Sequence, residues 1–327
     1  MKKCLNQMVI GTAAAVCLTS TMAQAADADY PDGPIRMIVP YSPGSGIDIL
    51  ARVAGQRMGP LLGQSFVVDN RAGASGMIGT RAAKQAKPDG YTVMMSVIGH
   101  VLNASVFPVS AQYDPVNDFT PISQAVLGRL VLVVQPRTGI RSIKDFLDKA
   151  RSAPDALTYA TPGTGTPQHL AMELFARTAK FELLHVPYSG TAGAMTGMLG
   201  NEADAMFMPV HLALPHLQSG RFIALGLASE KRSSIAPDIP TLAEQGYPGA
   251  EADMWYGLFG PANLPEPIVA KLNQALNDAL ADAETRNVLE KQGLEVGPST
   301  PAEFKVLVEK ENAKWKQAIT AAGLVAE

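Results

Sequence analysis

Residues 35–58 read IRMIVPYSPGSGIDILARVAGQRM. An apolar, strand-like run (IRMIVP) enters a glycine loop, and the loop opens into a helix-period run (ILARVAGQRM). Glycine lets backbone N–H groups approach a ligand with no Cβ in the way. The start of a helix adds unpaired N–H donors and about half a positive charge from its dipole. Strand, glycine loop and helix N-terminus together form a place that can hold an anion.

The unit recurs. In LTYATPGTGTPQHLAMELF, residues 157–175, Gly163 stands as the counterpart of Gly44, Thr166 suits the helix N-cap, and Pro167 suits the first turn, where its missing N–H is harmless. A third loop of this form lies in VVDNRAGASGMIG, residues 67–79, at Gly73 and Gly76. A plain turn is the alternative for any one of them. Three of one form favour a binding site, in which two helix starts converge on one carboxylate without a cationic side chain. None is a nucleotide fingerprint: Ile49 and Gln168 occupy the third glycine position of G-x-G-x-x-G, and no G-K-[ST] is present.

Apolar runs bounded by turn residues alternate with helix-period segments along the whole chain, which is the pattern of an α/β protein. Strands are expected at 35–40, 65–69, 91–97, 130–135, 157–161, 183–187, 203–208 and 222–228. Helices are expected at 47–58, 77–86, 142–152, 167–178, 191–199, 211–218, 266–281, 283–291 and 301–322. Composition shifts at YDPVNDFTPISQAVLGR and again at the Pro- and Gly-dense PDIPTLAEQGYPGAEADMWYGLFGPANLP. A chain that leaves one lobe, builds another and returns would show two such passages. The expected division is 26–125 plus 251–327 for one lobe and 126–250 for the other.

The N-terminus reads as an export signal. Lys2 and Lys3 precede the apolar run MVIGTAAAVCLTSTM, and Ala23-Gln24-Ala25 supplies the small-x-small cleavage pattern, so residues 1–25 are expected to be removed after Ala25 on export. Both cysteines, Cys4 and Cys17, leave with that segment, so neither a disulfide nor a thiol site is expected in the mature chain. Loss of the two lysines takes the formal charge from −3 to about −5, which argues against nucleic acid as a partner.

There is no G-x-S-x-G or H-E-x-x-H, and His100, His169, His185, His211 and His216 lack metal-ligand spacing. His169, next to the second loop, suits hydrogen bonding or helix packing, with a ligand contact as the alternative. Asp48, in a first helical turn, suits a bond to nearby backbone; as a general base it would repel the anion proposed for the loop. Asp204 either faces a cleft or caps a turn. No metal and no cofactor is expected.

Taken together, nine segments resemble the periplasmic receptors of tripartite tricarboxylate transporters, also called the Bug receptor family. They are IVPYSPGSGIDILAR, VVDNRAGASGMIG, KPDGYT, YDPVNDFTPIS, LTYATPGTGTPQHLAMELF, HVPYSGTAGAMTGMLGNEADAMF, LQSGRFIALGLASEKR, IPTLAEQGYPG and WYGLFGPANLP. The resemblance implies a type II periplasmic binding protein whose two α/β lobes, joined by a hinge, close on a small organic acid, mono- or dicarboxylate and aromatic or not. It implies that the two helix-start loops hold one carboxylate, partly through ordered water. Carried onto this chain, the expected site comprises Tyr41, Ser42, Pro43, Gly44, Ser45, Gly46 and Asp48 on one side. On the other are Thr161, Gly163, Thr164, Gly165, Thr166 and His169, with Tyr188 and Asp204 turned toward the cleft. His100, Met208 and Arg71 are the candidates for the far end of the pocket. Ser45 and Ile47 depart from the family pattern, which usually has glycine and threonine there; Ser45 either donates to the ligand or narrows the pocket. The implied partner is a membrane transporter with one large and one small subunit, served by a monomeric receptor. A ligand sensor and a periplasmic enzyme acting on a carboxylated substrate are the rival functions.

Overall fold

We describe the protein from a computed structural model over residues 30–153, 157–321 and 323–325. The expected signal segment and its cleavage site lie outside the described residues. The chain order is β1 Ile35–Val39, α1 Gly46–Leu62, β2 Phe66–Asn70, α2 Met77–Lys84, β3 Thr92–Val97, α3 Gly99–Val106, α4 Pro108–Ala111, β4 Phe119–Gly128, β5 Leu130–Val134 and α5 Ile143–Ser152. It continues with β6 Thr158–Thr161, α6 Pro167–Ala179, β7 Leu184–Pro187, α7 Gly190–Leu199, β8 Ala205–Pro209, α8 Val210–Gln218 and β9 Ile223–Leu227. The last part is β10 Met254–Pro261, α9 Glu266–Ala281, α10 Ala283–Lys291, β11 Leu294–Val296 and α11 Pro301–Ala321.

Two sheets make two lobes. The first has the order β11-β4-β10-β3-β1-β2, with β1 parallel to β2 and β3, and β10 antiparallel to β3 and β4. The second has the order β7-β6-β8-β5-β9, with β6 parallel to β7 and β8. All five residues of β5 are buried, as suits an apolar run in the interior of a sheet. Strands β1, β3, β6, β7 and β8 each run directly into a helix. Helix N-termini therefore collect at the carboxyl ends of the parallel strands, where open α/β sheets bind ligands.

The chain passes between lobes twice, at Arg129 and between β9 and β10. The first sheet holds it through Gly128 and takes it back at Met254, slightly beyond the expected borders at 125/126 and 250/251. Arg129 and Asp253, one on each crossing, form a largely buried ion pair with Nη1 2.6 Å from Oδ1. The two crossings are thereby tied to each other.

The two passages where the composition shifts contain β4 and β10, which pair along most of their length. Pro121, Gly257 and Gly260 hide the strand pattern, and two register irregularities interrupt the pairing. Gly257 is required by packing: a Cβ there would lie 2.1 Å from the ring of Phe304. Phe304, Val308, Trp315 and Ile319 are the buried face of α11, and Trp315 Nε1 donates to Glu311 Oε2 at 2.8 Å. Helix α3 was not anticipated either. Its glycine start, two valines, Ser105 and Asn103 are weak helix formers, and tertiary burial overrides them.

Phe304→Ala is expected to lower stability by about 3–5 kcal/mol, the range for a buried Phe deletion. Urea unfolding measures it, and a loss below about 1 kcal/mol would show that α11 does not anchor the first lobe.

Candidate functional site

The two glycine loops are the same structure built twice. In the first, Ser45 is the N-cap with φ −71° and ψ 158°, and its hydroxyl donates to the Ser42 carbonyl at 2.7 Å. In the second, Thr166 is the N-cap with φ −70° and ψ 155°, and its hydroxyl donates to the Gly163 carbonyl at 2.7 Å. The glycine before each cap has positive φ, 80° at Gly44 and 77° at Gly165. Each glycine N–H is taken by the third helical residue: Gly44 donates to Asp48 Oδ2 at 2.8 Å, and Gly165 to His169 Nδ1 at 3.1 Å. The counterpart of Gly44 is therefore Gly165, not Gly163. Ser45 is the counterpart of Thr166, and its hydroxyl proton is engaged within its own loop.

This arrangement gives Asp48 and His169 their roles. Asp48 also accepts from Arg52 Nε at 3.0 Å and Asn70 Nδ2 at 2.8 Å. Burial alone would raise its carboxyl, but the bonds from Arg52, the Gly44 amide and Asn70 outweigh it and leave the group below its ordinary value. His169 accepts at Nδ1, so its proton sits on Nε2, on the side of Glu173. Burial, reinforced by neighbouring His185, pulls its pKa down to about 4. Both residues hold a loop and neither is available as a base.

Among the described residues, the amides of Gly46, Ile47 and Asp48 at the start of α1 make no hydrogen bond, since the ladder begins with Ile49 N–H to Ser45. Helix α6 offers fewer donors. Pro167 has no N–H, His169 N–H reaches Thr166 Oγ1 at 3.4 Å, and Gln168 remains. These helix starts border one cavity of about 450 Å³ between the lobes. Ser45, Gly46 and Ile47 line one side and Thr164, Gly165, Thr166, Pro167 and Thr191 the other. Tyr41, Val97, Leu102, Phe107, Met254 and Tyr256 form an apolar wall, with Gly99, Ser75 and Asn103 among them. Among the described residues, no Lys, Arg, His, Asp or Glu lines it. The Tyr41 phenol is raised by burial and then by Tyr256, and burial brings Tyr256 to about 12, so both stay neutral donors.

Of the expected residues, Tyr41, Ser45, Gly46, Thr164, Gly165 and Thr166 line the cavity, and Ser42, Pro43, Gly44, Gly163, Asp48 and His169 shape its loops. Others lie elsewhere. Thr161 is fully buried behind the second loop. His100 is sealed among Tyr113, Phe119 and Phe259, with Nε2 2.9 Å from the Pro115 carbonyl. Met208 belongs to the apolar core of the second lobe. Asp204 precedes β8, at the end of the sheet away from the loops, where it accepts from Thr158 N–H and pairs with Arg137. Arg71 pairs with Asp69 on the surface. The ring of Tyr188 lies over Gly197 and its hydroxyl donates to Glu202. The third loop does contribute: Ser75 lines the cavity at φ 54°, and its carbonyl accepts from Asn103 Nδ2 at 2.7 Å. Leu102, Asn103 and Phe107 lie on or just after α3, and Met254 and Tyr256 on β10, two elements that local sequence does not signal.

Residues 50–324 match the family described as the tripartite tricarboxylate transporter family receptor. The chain belongs to this family. Protein BugT of Bordetella pertussis is 32% identical, over 93% of this chain and 94% of BugT. Among solved structures, MatC from Rhodopseudomonas palustris with bound malate is 30% identical with a TM-score of 0.73, covering 89% of this chain and 100% of that one. R. palustris Rpa4515 with adipate is 30% identical with a TM-score of 0.75, covering 90% and 98%. The two-lobed fold of this receptor family is thus the fold of this chain.

The buried histidines make this receptor acid-sensitive. His100 and His169 are each held to about 4 by burial, from 6.5. As pH falls through about 6.5 the unfolded chain takes up protons that the native state refuses until near 4. Stability is complete above about pH 7 and declines as pH falls from about 6.5 toward 4. Urea midpoints are expected to drop between about pH 7 and about pH 5, and His169→Gln to reduce the drop; a flat or rising midpoint contradicts it.

Proposed function

We propose that this receptor captures a small organic carboxylate, mono- or dicarboxylate, in the cleft between its lobes. The observation that carries this reading is the pair of matched loops on opposite lobes, facing one cavity with no ionised side chain in its lining. An anion there would be held by helix-start amides, neutral hydroxyls and two aligned dipoles. The malate and adipate bound by its structural relatives support the same ligand class. Neutral donors suit a receptor that must release its ligand. With Asp48 and His169 engaged by their loops, no nucleophile–base pair stands in the cleft, which supports binding without catalysis.

The rest of the proposal follows the family. Residues 1–25 are removed on export, the mature chain works in the periplasm as a monomer, and a membrane transporter of one large and one small subunit receives the closed form. The lobes move about Arg129 and Asp253, where the chain changes sheets.

The test is a panel of malate, adipate, benzoate and glutamate against purified protein, following melting temperature and recovery of the acid. At least one acid is expected to raise the melting temperature and to be recovered unchanged. Gly163→Val is expected to stay folded and lose the response. A Cβ at Gly163 has room, 3.7 Å from the nearest atom, but its φ of 136° is closed to a β-branched residue. Consumption of the acid, or no response to any, contradicts the proposal.

A further inference from the structure

Behind the second loop, Tyr159, His185 and His169 form a stack, with ring centroids 4.9 Å apart at Tyr159–His185 and 4.2 Å at His185–His169. His169 holds the Gly165 amide. His185, on β7, lies with Nε2 2.7 Å from Thr161 Oγ1, and that oxygen accepts the Gly163 amide at 3.2 Å. The two stacked histidines therefore address the two glycine amides of one loop, His169 directly and His185 through a hydroxyl.

The protons can be placed by elimination. Thr161 is fully buried, and its hydroxyl has no other side-chain or backbone partner among the described residues. A threonine hydroxyl carries one proton and two lone pairs. With one lone pair accepting from Gly163, the proton has a single acceptor in reach, His185 Nε2. His185 is then neutral, with its own proton on Nδ1. Were Nε2 protonated, it would donate to the second lone pair of Oγ1, and the buried hydroxyl proton would be left without an acceptor. Burial of the ring favours the neutral form, against the pull of Glu173. The remaining neighbours of the stack are the Tyr159 hydroxyl, which donates to Glu173 Oε1, and Glu173 itself, 3.8 Å from His169 Nε2.

We propose that His185 is a positioning residue for ligand capture: by accepting the Thr161 proton it orients the lone pair that holds the Gly163 amide, and so sets the curve of the second loop. It touches no ligand itself. The inference rests on the receptor reading, because it assigns His185 to the loop that reading calls one jaw of the clamp. Gly163 has a φ open only to glycine, and a residue with so many accessible conformations gains definition when its amide is held.

The test uses whichever of malate, adipate or benzoate binds the wild type best, with affinity read by calorimetry near pH 7.5. Thr161→Val removes the acceptor of the Gly163 amide and is expected to weaken binding about tenfold. His185→Phe keeps the stack but not the bond, and is expected to weaken it about fivefold. In the Thr161→Val background, His185→Phe is expected to add nothing, because both act through one hydroxyl. His185→Gln, whose amide reaches the Nε2 position, and Thr161→Ser, which keeps the hydroxyl, are expected to recover most of the loss. Equal losses from His185→Phe in both backgrounds overturn the proposal. So does equal affinity of Thr161→Ser and Thr161→Val, even if no His185 variant folds. Failure of the wild type to bind any acid overturns the receptor reading and this proposal together, whereas binding by wild type with no effect of these variants overturns this proposal alone.

Discussion

The site depends on one short-range bond made twice: the third residue of a helix reaches back and accepts the N–H of the glycine before the N-cap. Asp48 does it for Gly44 and His169 for Gly165. The bond fixes the loop and leaves the amides at the start of α1 free to face the cavity. In an ordinary capped helix the N-cap side chain would take one of those amides. Here the Ser45 hydroxyl turns back to Ser42 and the amides stay open. The chemistry of the reach-back differs between lobes. A carboxylate held by Arg52 and Asn70 is kept charged below its ordinary range, whereas burial keeps the imidazole a neutral acceptor down to about pH 4.

The larger architecture makes the two loops converge. Parallel strands in both sheets deliver their helices to one side, and the paired crossings at Arg129 and Asp253 keep the lobes in register. An apolar core running from Phe119 and Phe259 through Trp255 to Phe304 and Trp315 backs the first lobe near those crossings. An ion pair with so little solvent is strongly weakened by loss of one partner, because the other charge stays buried. Glu295 Oε2, 3.6 Å from Arg129 Nε, is a second carboxylate at the same crossing.

Much of this was legible in the sequence because it is local. The strand–glycine–helix units, the N-cap at Thr166 and the helical spans of α5, α6 and α9 follow from a few adjacent residues. The missing parts need the third dimension. Both faces of β8 are buried, Phe207 against one core and Met208 against another, so alternation could not show which side chain meets a cleft. His100 stood at the start of a helix whose own residues disfavour helix. Asp204 precedes β8 at the end of the sheet away from the loops, where it pairs with Arg137. The glycine correspondence was off because similar letters, PG in both loops, stand at different places relative to the cap; hydrogen bonds, not letters, define the equivalence.

The central claim is that one carboxylate sits between the start of α1 and the second glycine loop. A crystal structure of the protein with a bound acid tests it most directly. The expected result is a carboxylate oxygen within about 3.2 Å of the Gly46 or Ile47 amide, with the second oxygen facing the Thr164–Thr166 loop directly or through one water. A ligand seated elsewhere, or in the cleft with its carboxylate turned away from both loops, would contradict it.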